Sequence, residues 1–125
     1  MVVSVPFTDM SLQIQGVLRL EEEELVLEWR KEILWSSQLE EVHIPIKELD
    51  EIKYGNPFYL FHATLRIRVR NLRILSSVPG ANGAEVTLYC RKQYKHLAQD
   101  IANLATFRRL EQVFPDDFSL ANTTN

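Results

Sequence analysis

Side chains able to do chemistry are few in this chain and stand far apart. His43, His62 and His96 are its histidines and Cys90 is its single cysteine. A metal centre needs several His, Cys or carboxylate ligands converging at suitable spacing, and these four are isolated from one another along the chain. His43 falls on the outward side of its strand and His96 on the polar side of a helix, so both read as surface imidazoles. No metal and no cofactor is expected. Cys90 lies on the apolar side of its strand, where a thiol is buried and inert. Covalent catalysis needs a nucleophile beside a base and an orienting group, and no such pattern is present. Gly80 and Gly83 suit a hairpin, with no lysine at phosphate-loop spacing. The carboxylates lie in surface runs, whereas acid–base catalysis needs two held in contrasting environments. The chain is not expected to be an enzyme.

Three features could bind instead. Arg66, Arg68 and Arg70 fall on one face of a strand, with Arg73 just beyond. Such a stripe is relieved by anions: an acidic partner, a lipid headgroup, or Glu48, Asp50 and Glu51 across the sheet. Cross-strand pairing is the plainer of these. Nucleic acid is not expected, because the nearest aromatics do not interleave with the stripe. Phe58, Tyr59 and Phe61, with Leu60 among them, make a loop unusually apolar for a surface segment. They fit a partner contact, or rings tucked under the sheet. The third feature is a stripe of Phe107, Leu110 and Phe114 at the end of a helix.

That helix belongs to the stretch around which the chain is organised, residues 85–110. Val86, Leu88 and Cys90 alternate with Glu85, Thr87 and Tyr89, the period of a half-buried strand. From Arg91 the period becomes helical, with Tyr94, Leu97, Ala98, Ile101, Leu104 and Ala105 on one side. At about 100° per residue these lie within about 60° of Ile101, while Phe107, Leu110 and Phe114 fall nearly opposite. One straight helix cannot bury both stripes against one small sheet. Either it bends or stops near Thr106, or the second stripe meets another chain.

Short strands precede it. Leu12 to Leu20 alternates, residues 21–24 are four glutamates that belong in water, and Leu25, Leu27 and Trp29 alternate again. Residues 36–38 read as a turn. Val42, Ile44 and Ile46 follow, with Pro45 marking an edge or bend. Leu49, Ile52 and Tyr54 make a further strand, Gly55-Asn56-Pro57 a turn, and Leu65, Ile67 and Val69 the clearest strand of all. Residues 72–78 read as another strand, joined to residues 85–90 by the hairpin loop Pro79-Gly80-Ala81-Asn82-Gly83. Residues 1–10 read as a loosely ordered lead-in, 11–114 as one domain, and 115–125 as a polar tail. The expectation is mainly β: about seven antiparallel strands in a barrel or orthogonal sandwich, capped by one C-terminal helix.

The totals agree with one soluble domain. At 125 residues with 46% hydrophobic content the chain can bury a core unaided. A net charge of −3 gives no overall basic footprint for nucleic acid. Residues 1–62 hold five Lys/Arg against twelve Asp/Glu, and residues 63–125 nine against five. Such a split suggests pairing between the halves, or polarity towards a partner. The lone cysteine and the lack of an export-signal pattern lead to a cytoplasmic expectation.

Three phrases carry a resemblance: residues 16–20 followed by 24–27, Ile44-Pro45-Ile46-Lys47-Glu48-Leu49-Asp50-Glu51-Ile52, and residues 86–89 running straight into the helix. With the order of elements they resemble the pleckstrin-homology superfold, particularly its bacterial pleckstrin-homology-like and GRAM-like members, over about residues 11–110. The resemblance implies a pleckstrin-homology-like barrel serving as a scaffold for binding lipids, peptides or proteins. Phosphoinositide-binding members place basic residues on the first strand and the loop after it. The loop taken as its counterpart, residues 21–24, is four glutamates, which would repel an anionic headgroup. The function expected is therefore a protein-binding or self-assembly module working through a protein partner or a homo-oligomer. The rival is a peripheral binder of membrane lipid or a small anion, with weak membrane-surface contact through the arginine strand and aromatic loop.

Overall fold

The first strand, β1 (Val3–Thr8), lies where a loose lead-in was expected. Val3, Val5 and Phe7 alternate with Ser4, Pro6 and Thr8, but Pro6 hid the period. The computed structural model describes residues 3–9, 14–33, 36–57 and 62–113. After β1 come β2 (Gln15–Leu20), β3 (Glu24–Ile33), β4 (Ser36–Pro45), β5 (Leu49–Gly55), β6 (His62–Val69), β7 (Glu85–Arg91) and one helix, α1 (Lys95–Val113). The turn expected at 36–38 is the start of β4. Residues 72–78 are not a strand: Leu72–Leu75 form a 3-10 helix. The Asn71 side chain accepts a hydrogen bond from the Arg73 N–H at 3.1 Å and draws the backbone into a turn. Leu75 and Val78, three residues apart, are the pair it buries. One strand was thus missed and one wrongly assigned.

All seven strands are antiparallel in a single sheet of order β4-β3-β2-β1-β7-β6-β5. It is not closed into the expected barrel, because β4 and β5 remain its two edges. These edges are consecutive in the chain and separated by a 3-10 turn, Ile46–Glu48. Four Cα steps span at most ~14 Å, so the edges meet at this corner without laddering. Two backbone bonds hold the corner, Ile46 N–H to Glu23 O and Arg70 N–H to Glu48 O, each at 2.9 Å. Pro45, expected at an edge, ends edge strand β4.

The core lies on the inner face of the curled sheet, where Val5, Leu18, Leu27, Ile44, Leu65, Ile67 and Leu88 are buried. Against it α1 sets Ala98, Ile101, Ala102 and Ala105, all buried, and it packs on β1, β5, β6 and β7. Leu97, expected in the core, is 38% exposed. Three alanines on the buried face let the helix lie close to the sheet, and that narrow seat leaves Leu97 at its margin. The helix neither stops nor breaks at Thr106. Its later turns are tied down by Arg108 Nη1 donating to the Glu21 carbonyl and Arg109 Nε donating to the Leu49 carbonyl at 2.9 Å.

Candidate functional site

A cleft lies at the joint between β1 and β7. β1 ladders along its whole length with β2 but meets β7 at one position, Thr8 opposite Tyr89. Pro6, with no N–H to give, fits a strand laddered fully on one side only. Beyond Tyr89 towards Glu85, β7 has no ladder partner on that side among the described residues. There the molecule opens a cleft of about 440 Å³ between the end of β1, β3, β7 and the 78–82 turn. That volume falls in the usual range for small-molecule sites, roughly 300–1,000 Å³.

Local sequence explains the floor. Phe7, Gly16 and Trp29 lie in register across β1, β2 and β3. A Cβ on Gly16 would stand 2.2 Å from the Glu28 carbonyl oxygen and 2.7 Å from Phe7 Cζ. Glycine is needed so that the Phe7 ring can cover β2. Phe7, Trp29, Val78 and Leu88 supply the apolar lining. The polar lining comes from Asp9, Asn82, Glu85, Thr87 and Tyr89. Asp9 also pins the mouth, since its Oδ1 accepts the Ile14 N–H at 3.0 Å. Gly80 and Gly83 have φ of +80° and +65°, values that let the 78–83 segment turn beside the cleft. Sequence reasoning passed over this site because its first strand was not recognised. A glycine facing a phenylalanine and a tryptophan on flanking alternating segments was the available signal.

That strand also changes which loop is which. The glutamates at 21–24 follow the second strand and lead from β2 into β3, and do not follow the first.

The arginine stripe sits on the outer face of β6 and is largely neutralised there. Arg68 Nε donates to Asp50 at 2.8 Å, and Arg68 also pairs with Glu51 at 3.4 Å. Arg66 pairs with Glu85 at 3.3 Å and Glu51 at 3.8 Å. The hydrogen bond to Asp50 and the nearby charges hold the Arg68 guanidinium above its ordinary value. Arg70 and Arg73 are exposed, with no side-chain ion pair among the described residues. On the outer face of β2–β4, Arg19 pairs with Glu28, with Glu21 at 3.6 Å and with Glu41 at 3.7 Å. His43 lies between Glu24, at 2.7 Å, and Glu41. Hydrogen bonds to Glu24 and Glu41 raise its pKa. Val26, between Arg19 and His43 in register, is fully buried beneath this network although it faces outward.

In the helix stripe, Phe107 is 48% exposed and Leu110 half-buried. Phe114 and the loop residues Phe58, Tyr59 and Phe61 lie outside the described residues, as does the tail. Cys90 is fully buried, and burial pushes its thiol up to about 12. Among the described residues no group of His, Cys, Asp and Glu could hold a metal ion, and no helix is long and apolar enough to cross a membrane. No protein-family model matches the chain, and no curated protein is significantly similar to it in sequence.

Proposed function

We propose that this chain is a non-catalytic binding module on a pleckstrin-homology-like scaffold, with the cleft at the β1–β7 joint as its binding site. The scaffold reading draws on the run of antiparallel neighbours, the corner between β4 and β5, and a C-terminal helix packed on the sheet. The observation that carries the site is the cleft itself, with its apolar floor, mixed polar rim and small-molecule size. The arginine stripe is a weaker candidate, since Arg66 and Arg68 already face Asp50, Glu51 and Glu85. A fragment screen by amide chemical shifts tests the reading. Perturbations should cluster on Phe7, Trp29, Val78 and residues 85–89. Clustering on β6 outer-face residues instead would move the site to the arginines and favour an anionic ligand.

Self-association through the helix is the second reading, favoured by Phe107 at 48% exposure on a helix that runs on to Val113. Light scattering during size-exclusion chromatography tests it. An oligomer that becomes a smaller folded particle on Phe107→Asp supports it, and a wild-type monomer at high micromolar concentration excludes it.

A further inference from the structure

We infer that the outer face of β5–β7 carries a second site, a shallow hollow at Lys53 and Arg66 that takes a small phosphate monoester with a flat apolar body. The hollow measures about 290 Å³ and shares only Thr87 and Tyr89 with the described lining of the cleft. The inference stands whether or not the cleft is occupied. Strand register builds the hollow. Glu51, Arg68 and Glu85 stand side by side across the three strands, a row of mixed sign. The next row is Lys53, Arg66 and Thr87, and the one after it Gly55, Thr64 and Tyr89. Direct partners in an antiparallel pair share a face, and like charges set opposite one another are unfavourable. Lys53 and Arg66 are such a pair, with no carboxylate in either of their two rows. Arg66 leans on the mixed row, in ion pairs of 3.3 Å with Glu85 and 3.8 Å with Glu51, but donates no hydrogen bond among the described residues. Arg68, by contrast, donates to Asp50 at 2.8 Å. Lys53 has no ion pair among the described residues, and neither has Arg91, one row beyond Tyr89 on the same face. The surplus on this side of Arg66 is therefore positive. Gly55 gives the hollow its depth. A Cβ there would stand 2.7 Å from Thr64 Oγ1, so that hydroxyl lies in space a side chain would take. The Thr64 and Thr87 hydroxyls flank Arg66 and have no hydrogen-bond partner among the described residues. A phosphate monoester brings close to two negative charges at neutral pH and three terminal oxygens. Those oxygens can accept from the ammonium, the guanidinium and the hydroxyls together, and charged partners make such bonds strong. A carboxylate brings one charge and two oxygens. Tyr89 and Pro57 line the hollow beside these donors and offer a flat apolar wall to the body of the ester.

Four probes separate head from body: phenyl phosphate, benzoate, benzyl alcohol and inorganic phosphate, titrated into the full chain at neutral pH. Binding is read by calorimetry and by amide chemical shifts. Phenyl phosphate should bind at least about tenfold tighter than benzoate or benzyl alcohol, a gap of about 1.4 kcal/mol, and should weaken with added salt. It should move the amides of Lys53, Gly55, Thr64 and Arg66 and leave those of Phe7, Trp29 and Val78 in place. Lys53→Gln and Arg66→Gln, both at exposed positions, should keep the fold and each cut its affinity several-fold. Phosphatidylcholine vesicles with and without phosphatidate distinguish two sources of the same headgroup. Sedimentation that needs phosphatidate and is lost in Lys53→Gln assigns the phosphate to a lipid; its absence beside bound phenyl phosphate assigns it to a soluble ester. Inorganic phosphate bound as tightly as phenyl phosphate overturns the part given to Tyr89 and Pro57. Benzoate or benzyl alcohol bound as tightly, shifts confined to the cleft, or an affinity unchanged in both variants overturns the site and leaves the cleft reading untouched.

Discussion

The two sides of the sheet neutralise their outer faces by different means. On β5–β7 the pairing is between permanent charges: Arg66 and Arg68 set against Asp50, Glu51 and Glu85. On β2–β4 glutamates outnumber the permanent cations. Arg19 serves Glu21, Glu28 and Glu41, and the set is completed by His43 between Glu24 and Glu41. The charge of one side is therefore fixed across the neutral range, while that of the other depends on an imidazole. The split of acidic and basic residues along the chain does give contacts between its halves, since Arg66 and Arg68 of residues 63–125 meet Asp50 and Glu51 of residues 1–62 across β5 and β6. The β1–β4 and β5–β7 sides of the sheet are joined, among the described residues, by one β1–β7 ladder position, by the corner at Ile46–Glu48 and by the helix that packs on both.

The helix should therefore dominate stability. Ile101 is fully buried where α1 meets the sheet, and truncating such a side chain costs about 2–5 kcal/mol. Ile101→Ala should lower the melting temperature by on the order of 10 °C. Hydrogen exchange should quicken first in β1 and β7, where only the helix supplements a single ladder position. A shift of a degree or two, with exchange unchanged there, would mean that the ladders and not the helix hold the halves together.

Within the β1–β4 half, Gly16→Ala should cost about 1–3 kcal/mol by overpacking, because the new methyl would meet the Glu28 carbonyl at 2.2 Å. Alanine at Gly80, where a Cβ would have open space but φ is +80°, separates steric from conformational cost. A Gly16→Ala melt no lower than that of Gly80→Ala would remove the argument that this glycine seats Phe7.

Strands that alternate cleanly were legible from residues alone: β2, β3, β6 and β7 follow the hydrophobic period because one face is dry and the other wet. The count of seven was also right, but through two compensating errors. At Pro6 a missing donor read as a break, yet β1 needs a full ladder on only one side. At residues 72–78 an apolar run read as a strand, yet Asn71 diverts the backbone and the buried spacing is three residues. Ile101 could be placed in the core because helical period alone decides it. Leu97 could not, because the seat's width depends on the sheet's approach to Ala98, Ala102 and Ala105. Arg108 and Arg109 continue the docked side of α1 with polar anchors, so an apolar count could not follow the helix past Thr106. The cleft was illegible for a related reason: it lies where β1 meets β7, and pairing between strands so far apart in the chain leaves no local mark.

On the permanent-charge side a mutation should matter little. Arg68 is well exposed, and exposed pairs are screened and entropically costly. Arg68→Ala should shift the melting temperature by less than about 3 °C, and the difference should shrink as salt rises. A larger, salt-independent loss would show that the arginine stem, and not its charge, supports β6.

The smallest effect should be the most diagnostic of the comparison. With both ring nitrogens facing carboxylates, His43 can satisfy Glu24 and Glu41 together only as the imidazolium, since the neutral ring has one N–H. Its pKa in the folded chain is raised above the ordinary 6.5 by those two hydrogen bonds. A raised pKa means the folded state binds the proton more tightly. The stabilisation is thus fully present below pH 6.5 and is lost as pH rises through the raised value. The ring is 47% exposed, so the change should amount to no more than about 2 °C in melting temperature. His43→Gln should remove that slope between roughly pH 6 and 8 while leaving the contribution of Arg66 and Arg68 unchanged. Titration of the His43 ring protons should give a midpoint above 6.5. A midpoint at or below that value, or a slope surviving in the variant, would mean that the β2–β4 face is as indifferent to pH as the arginine face.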